Sequence, residues 1–183
     1  FGSEGAEEVG PFAITVNPDG SEARRTRIGS LTAPFCSPDG RWVYGGMPLQ
    51  ELFPGDAIAP RHDKGLIRVD LETGRRELVL SIDRALALLP NAAEAQRCHL
   101  YVKMIIAHPA GKRVLFNLTN TFWDIDGKEP VIRCIISVGP DGSAPAYVGK
   151  INHHPNWHPL DDRIVANVKD AAGVMRFGLY AGT

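Results

Sequence analysis

Three of the six histidines stand close together, in Asn152-His153-His154-Pro155-Asn156-Trp157-His158. Imidazole is a good ligand for manganese, iron and zinc, and carboxylates add hard oxygen ligands. It also takes and gives protons near neutral pH. The other residues suited to chemistry are scattered: Arg61-His62-Asp63, His99, Lys103 and Trp123-Asp124-Ile125-Asp126. The sequence holds no Gly-x-Ser-x-Gly elbow, no phosphate-cradling glycine loop and no His-Glu-x-x-His. Cys36, Cys98 and Cys134 lack zinc-ligand spacing, and their odd number argues against a disulfide framework. Cys36 and Cys134 fall in strand-like runs and read as buried small apolar residues.

A repeated phrase supplies the elements that position these groups. It reads PFCSPDGRWVYGG from Pro34, IIAHPAGKRVLFN from Ile105 and PNWHPLDDRIVAN from Pro155. Each copy is an apolar run, then Ser/His-Pro, a turn rich in Asp and Gly, a basic residue and a second β-rich run. That is one hairpin written three times. A repeat of roughly 40–50 residues points to a propeller or a solenoid. Grouped in fours, the strands predict an all-β, partial β-propeller of about three and a half blades. Residues 12–30 are the back half of one blade, 31–80 and 100–150 are full blades, and 153–180 are most of another. One stretch breaks the pattern: residues 81–96, SIDRALALLPNAAEAQ, space Ile82, Leu86 and Leu89 like a helix face. It reads as a helical insertion that Pro90 ends or breaks.

Aligning the copies separates the histidines by role. His108 and His158 occupy the position of Ser37, where a side chain bonds turn amides. His153 and His154 align with Thr32 and Ala33, and with Lys103 and Met104, at the start of the innermost strand. That end lies opposite the short turns, and the long segments 46–64, 81–99 and 117–130 connect strands there. Long loops gathered on one face of a rigid scaffold usually carry binding residues. This face collects His153, His154, His99, Lys103, Arg61, His62, Asp63, Trp123, Asp124 and Asp126. Neighbouring residues of a strand point to opposite faces, so at most one of His153 and His154 faces the channel unless the chain bulges. The set reads as a metal-binding rim or as a plain polar one. Trp123 is suited to stacking on a sugar or to filling the space between blades. Arg61-His62-Asp63 reads as a surface ion cluster or as part of a catalytic set.

The 20 basic and 21 acidic residues leave a net charge of -1, which argues against nucleic acid as the main partner. Arg24-Arg25-Thr26-Arg27 reads as a solvated strand face. No apolar run reaches the ~18 residues of a membrane helix. The chain starts without Met and shows no signal peptide, so it reads as a processed or excised piece. The compartment stays open. Incomplete blades leave open edges, so the ring reads as a piece of a longer chain or as one completed by another subunit.

The repeated Ser/His-Pro-Asp-Gly-Lys/Arg phrase resembles that of the TolB-like, WD-repeat-like bacterial β-propellers. Ser37-Pro38-Asp39-Gly40-Arg41 matches it in full; His108-Pro109-Ala110-Gly111-Lys112 lacks the Asp, and His158-Pro159-Leu160-Asp161-Asp162-Arg163 lacks the Gly. Within that group, His153-His154-Pro155-Asn156-Trp157-His158 resembles the histidine-rich strands of the oligogalacturonate lyase branch. That resemblance implies a divalent metal, usually manganese, held by histidines and a glutamine in the central channel. His153 or His154 with His99 would hold it, while Gln50 and Gln96 lie in insertions and match no ligand position. Lys103, Arg61 and His62 would supply the base or the clamp on the substrate, with Trp123 and Asp124 binding an oligosaccharide. The alternative is a non-catalytic propeller that binds a protein or glycan partner on the same face.

Overall fold

Short β-branched and aromatic runs separated by Asp/Gly turns favour antiparallel hairpins. The computed structural model describes residues 11–29, 31–46, 62–120, 131–150, 153–170 and 172–182. The strands are β1 (Phe12–Thr15), β2 (Arg24–Arg27), β3 (Thr32–Cys36), β4 (Trp42–Gly46), β5 (Gly65–Asp70) and β6 (Arg76–Ser81). They continue as β7 (Tyr101–Ala107), β8 (Val114–Thr119), β9 (Arg133–Val138), β10 (Ala146–Gly149), β11 (His153–Trp157), β12 (Arg163–Lys169) and β13 (Met175–Ala181). They form four sheets, each in chain order: β1-β2, β3 to β6, β7 to β10 and β11 to β13. Every pairing is antiparallel. The fold is all-β, a stack of meandering sheets that makes part of a propeller.

The turns hold through side chains of the repeated phrase. Asp39 Oδ1 accepts the Arg41 amide at 3.1 Å, Asp141 Oδ1 that of Ser143 at 3.0 Å, and Asp161 Oδ1 that of Arg163 at 3.0 Å. The two turn histidines act as the alignment expects. His108 Nδ1 accepts the Ala110 amide at 3.0 Å, and His158 Nδ1 accepts that of Leu160 at 3.4 Å. Gly142, at φ 87°, needs the left-handed region, and a Cβ there would also collide with the Val79 carbonyl oxygen of the neighbouring sheet.

The main core lies between the two four-stranded sheets and the insertion, joining Tyr44, Leu66, Phe116 and Ile136 to Ile82, Leu86, Leu89 and Cys98. The insertion is two short helices rather than one, α1 (Ile82–Leu86) and α2 (Ala92–Ala95). Ser81 Oγ caps α1 by accepting the Arg84 amide at 3.2 Å. Pro90, which has no amide to donate, falls between them.

Polar bonds tie neighbouring sheets together. Thr32 Oγ1 donates to Val102 O at 2.9 Å, Arg68 Nη1 to Pro140 O at 2.8 Å, and Trp157 Nε1 to Ile106 O at 3.2 Å. Cys134 and Cys98 are buried, but Cys36 is exposed, contrary to its apolar setting in the sequence. The small β1-β2 sheet packs on Val43 and Val69 through Ala13 and the Ile28 that follows β2, and Cys36 on the inner strand stays exposed.

Candidate functional site

Each inner strand carries one extra residue near its start. From Thr32 to Phe35, β3 advances three residues while β4 retreats two, from Gly46 to Tyr44. The same shift separates Lys103 from Ile106 against β8, and His153 from Asn156 against β12. The bulged residues Ala33, Met104 and His154 have φ of 47°, 51° and 46°. Left-handed backbone costs a residue with a Cβ about 1–2 kcal/mol. Its recurrence at one repeat position makes the bulge a property of the blade. Bulges re-aim side chains and interrupt pairing, so simple alternation does not decide which of His153 and His154 faces the channel. His154 is exposed.

The middle inner strand gathers the chemistry. Tyr101 pairs with Thr119, and Thr119 with Arg133, so the start of β7, the end of β8 and the start of β9 share one end of the sheet. Asn120 closes that rim, its Oδ1 accepting the Ile132 amide at 2.9 Å. Lys103 is half-buried, opposite Asn117. Burial, and secondarily the Arg133 charge, hold its ammonium below the ordinary value of 10.5. Asn117 is only 2% exposed; its Nδ2 lies 3.5 Å from Met104 Sδ, and its Oδ1 has no hydrogen-bond partner among the described residues. A buried acceptor left so costs about 1–3 kcal/mol unless something donates to it. Arg133 and Lys150 also line a cavity of about 270 Å³ with Asn91, Ile132, Cys134 and Tyr147. That is below the ~300–1,000 Å³ of sites for drug-sized ligands.

Among the described residues singled out from the sequence, Lys103 is half-buried and within the field of the Arg133 charge. His99 is half-buried just ahead of β7, His154 stands on the next inner strand, and His62 is exposed just before β5. His153 contributes backbone to β11. Arg61, Trp123 and Asp124, with most of the 46–64 loop, lie outside the described residues. Among the described residues, no three His, Cys, Asp or Glu side chains group closely enough to hold a metal ion.

Sequence reasoning missed Asn117 and Arg133. Asn117 had a signal: it and Asn167 end two copies of the repeated phrase at the same position. Arg133 had none, because it meets Lys103 only through the fold. Compared with known proteins, the chain matches no family model, and no curated protein is significantly similar to it.

Proposed function

We propose that the loop-side end of this propeller handles an acidic carbohydrate, and that a uronide cleaved by β-elimination is the substrate best suited to it. The observation that carries this reading is the placement of Lys103, half-buried at the loop-side end of β7, on the same end of the sheet as Arg133 at the start of β9; burial and the Arg133 charge both lower its pKa. Elimination needs the substrate carboxylate neutralised, a base for the proton α to it, and departure of the β oxygen. Arg133 neutralises the carboxylate and thereby acidifies that proton. Lys103, in its amine form, accepts the proton; the electron pair forms the carbon–carbon double bond as the β carbon–oxygen bond breaks, and the leaving oxygen takes a proton from water.

The resemblance to oligogalacturonate lyases also brings in a divalent metal, manganese above all. Among the described residues, His99 and His154 do not group with a third ligand, so no step above runs through a metal. Elemental analysis of the wild-type and His154→Ala chains tests for one. A stoichiometric metal lost with the imidazole would add an ion to this end of the channel.

The reaction is tested by the ultraviolet absorbance of unsaturated uronides released from oligogalacturonate. Lys103→Met is expected to cut the rate by about 10²–10⁴, the usual worth of a general base. No absorbance rise with the wild-type chain would sink the lyase reading.

The second reading is a non-catalytic propeller that binds a protein or glycan here. It draws on the bulge: His154 owes its backbone to the blade architecture shared with Ala33 and Met104, without any chemistry. Hits on a glycan array, with no product and no metal, would favour it.

A further inference from the structure

A groove at the other end of the blades from Lys103 does not depend on the reading above. It opens on the turn side of the seam between the β3 to β6 sheet and the β7 to β10 sheet, each with all four of its strands. Pro38 and Trp42 line it on one side and Pro109 and Val114 on the other, around a volume of about 540 Å³. That lies within the ~300–1,000 Å³ of small-ligand sites. Arg68 also lines it and spans the seam, its Nη1 donating to Pro140 O at 2.8 Å and its Nε to Glu77 Oε2 at 2.7 Å. Its guanidinium carbon stands 4.1 Å from the Trp42 ring centroid. The charge of Arg68 is therefore already matched by Glu77.

Arg113, which lines the same groove, has no such match. Its Nε donates to Ser137 Oγ at 2.6 Å and its Nη2 to Ala144 O at 2.8 Å, both neutral acceptors. Among the described residues no carboxylate pairs with it, and its Nη1 has no partner. The repeat shows what is missing. The His108 amide donates to Arg113 O as the His158 amide does to Arg163 O, so the two arginines are equivalent. Arg163 Nη2 lies 2.6 Å from Asp161 Oδ2, and the place of Asp161 is taken by Gly111 in the copy that carries Arg113. Accordingly burial lowers the Arg113 pKa below the ordinary 12.5, whereas the hydrogen bond to Asp161 raises that of Arg163. A half-buried guanidinium without a counter-charge gains from an anion that reaches it. Asp39 is the other charge on the groove, its Oδ1 accepting from Ser37 Oγ and from the Arg41 amide. It repels a second negative charge on whatever enters.

We propose that this groove binds a monocarboxylate with an apolar body, the carboxylate on Arg113 and the body against Trp42, Pro38 and Pro109. A free acid and the C-terminus of a peptide share that chemistry.

The test is calorimetric titration of the full chain with N-acetyl-phenylalanine and with its amide. The acid should bind, and the amide at least about tenfold more weakly, the worth of a charge-assisted hydrogen bond. The indole N–H signal of Trp42, assigned by its loss in Trp42→Phe, should shift with the acid. Arg113→Gln should reduce the affinity for the acid to that for the amide. Asp39→Asn, whose side-chain oxygen still accepts the Arg41 amide, should tighten the acid severalfold and leave the amide unchanged. An acid that does not bind at millimolar concentration, or binds no better than its amide, overturns the proposal. So does an Arg113→Gln chain that melts like the wild type and keeps the affinity. If that variant does not fold, Asp39→Asn decides, and an acid affinity it leaves unchanged overturns the proposal. Acetyl-glycyl-glycyl-phenylalanine separates the sources within the proposal. Tighter binding than the single residue makes a peptide C-terminus the ligand, and equal or weaker binding makes it a free acid.

Discussion

Lys103 gives the sharpest residue-scale prediction. An amine is a base only when neutral, so a lowered ammonium pKa moves the rise of rate with pH to lower pH. Burial is the larger cause and Arg133 the smaller. Arg133→Gln should therefore shift the rising limb of the pH–rate profile upward while weakening binding of the substrate carboxylate. Lys103→Arg, fixed in charge, should bind oligogalacturonate and turn nothing over. A profile with the same limb in the Arg133 variant would remove Lys103 as the base. The cysteines give an independent check on the packing. Burial pushes the Cys134 thiol up to about 12, from an ordinary 9.0. Its folded value is the higher one, so the stability it lends is full below pH 9 and is lost as pH climbs toward 12. Iodoacetamide should thus label Cys36 in the native chain and reach Cys98 and Cys134 only after denaturation, as mass spectrometry of the alkylated chain would show.

At the scale of the element, the inner-strand bulge is the informative feature. Ala33 holds φ 47° and its side chain is exposed, so its methyl group adds strain and little burial. Glycine removes a penalty of about 1–2 kcal/mol and costs about 0.5–1 kcal/mol in backbone entropy. Ala33→Gly should leave stability unchanged or raise it by up to about 1 kcal/mol, and the β-branched Ala33→Val should lower it by more than 1 kcal/mol. Thermal melts of the two variants decide this; a glycine variant that loses 2 kcal/mol would mean the backbone there is unstrained. The bulge also marks the boundary of what could be read in advance. The hairpins, their grouping and the turn roles of His108 and His158 were legible, because they depend on local turn chemistry and on a period that repeats. The bulge was raised only as a condition, since one extra residue in a strand leaves no trace in composition. The site was legible as a strand end and a face. Asn117 and Arg133 were not, because pairing across three strands, from Lys103 to Asn117 and from Thr119 to Arg133, brings them there. Exposure of Cys36 was misread for the same reason: a neighbouring sheet decides what a strand buries.

For the molecule as a whole, charge at the turns sets the response to acid. Asp39, Asp141 and Asp19 sit below the ordinary 3.8 chiefly through hydrogen bonds from Ser37, Ser143 and Ser21. Asp70 and Asp170 sit below it through the Thr73 amide and the Arg176 side chain. Asp161 is held at about 2, first by the Arg163 side chain. Asp162 is lowered chiefly by Lys112, whose Nζ lies 3.0 Å away across the seam between two blades, and His108 Nε2 stands 3.0 Å from it without hydrogen-bond alignment. All these folded values lie below the unfolded one. The stability they lend is therefore complete above about pH 4 and is lost as pH falls through the folded values. Apart from Asp70, which is buried, these carboxylates are exposed or half-exposed and screened, so each contributes little, and the effect is their sum over successive hairpins. Urea unfolding midpoints should hold level from neutral pH to about 4 and then fall continuously toward 2. Asp161→Asn should flatten the lowest part of that slope, because Asp161 is the carboxylate still ionised there. The same slope in that variant would mean that Arg163 does not hold Asp161 in solution. Salt should flatten the whole curve, since screening weakens exposed pairs first. A salt-independent slope would instead place the acid response in buried groups such as Asp70.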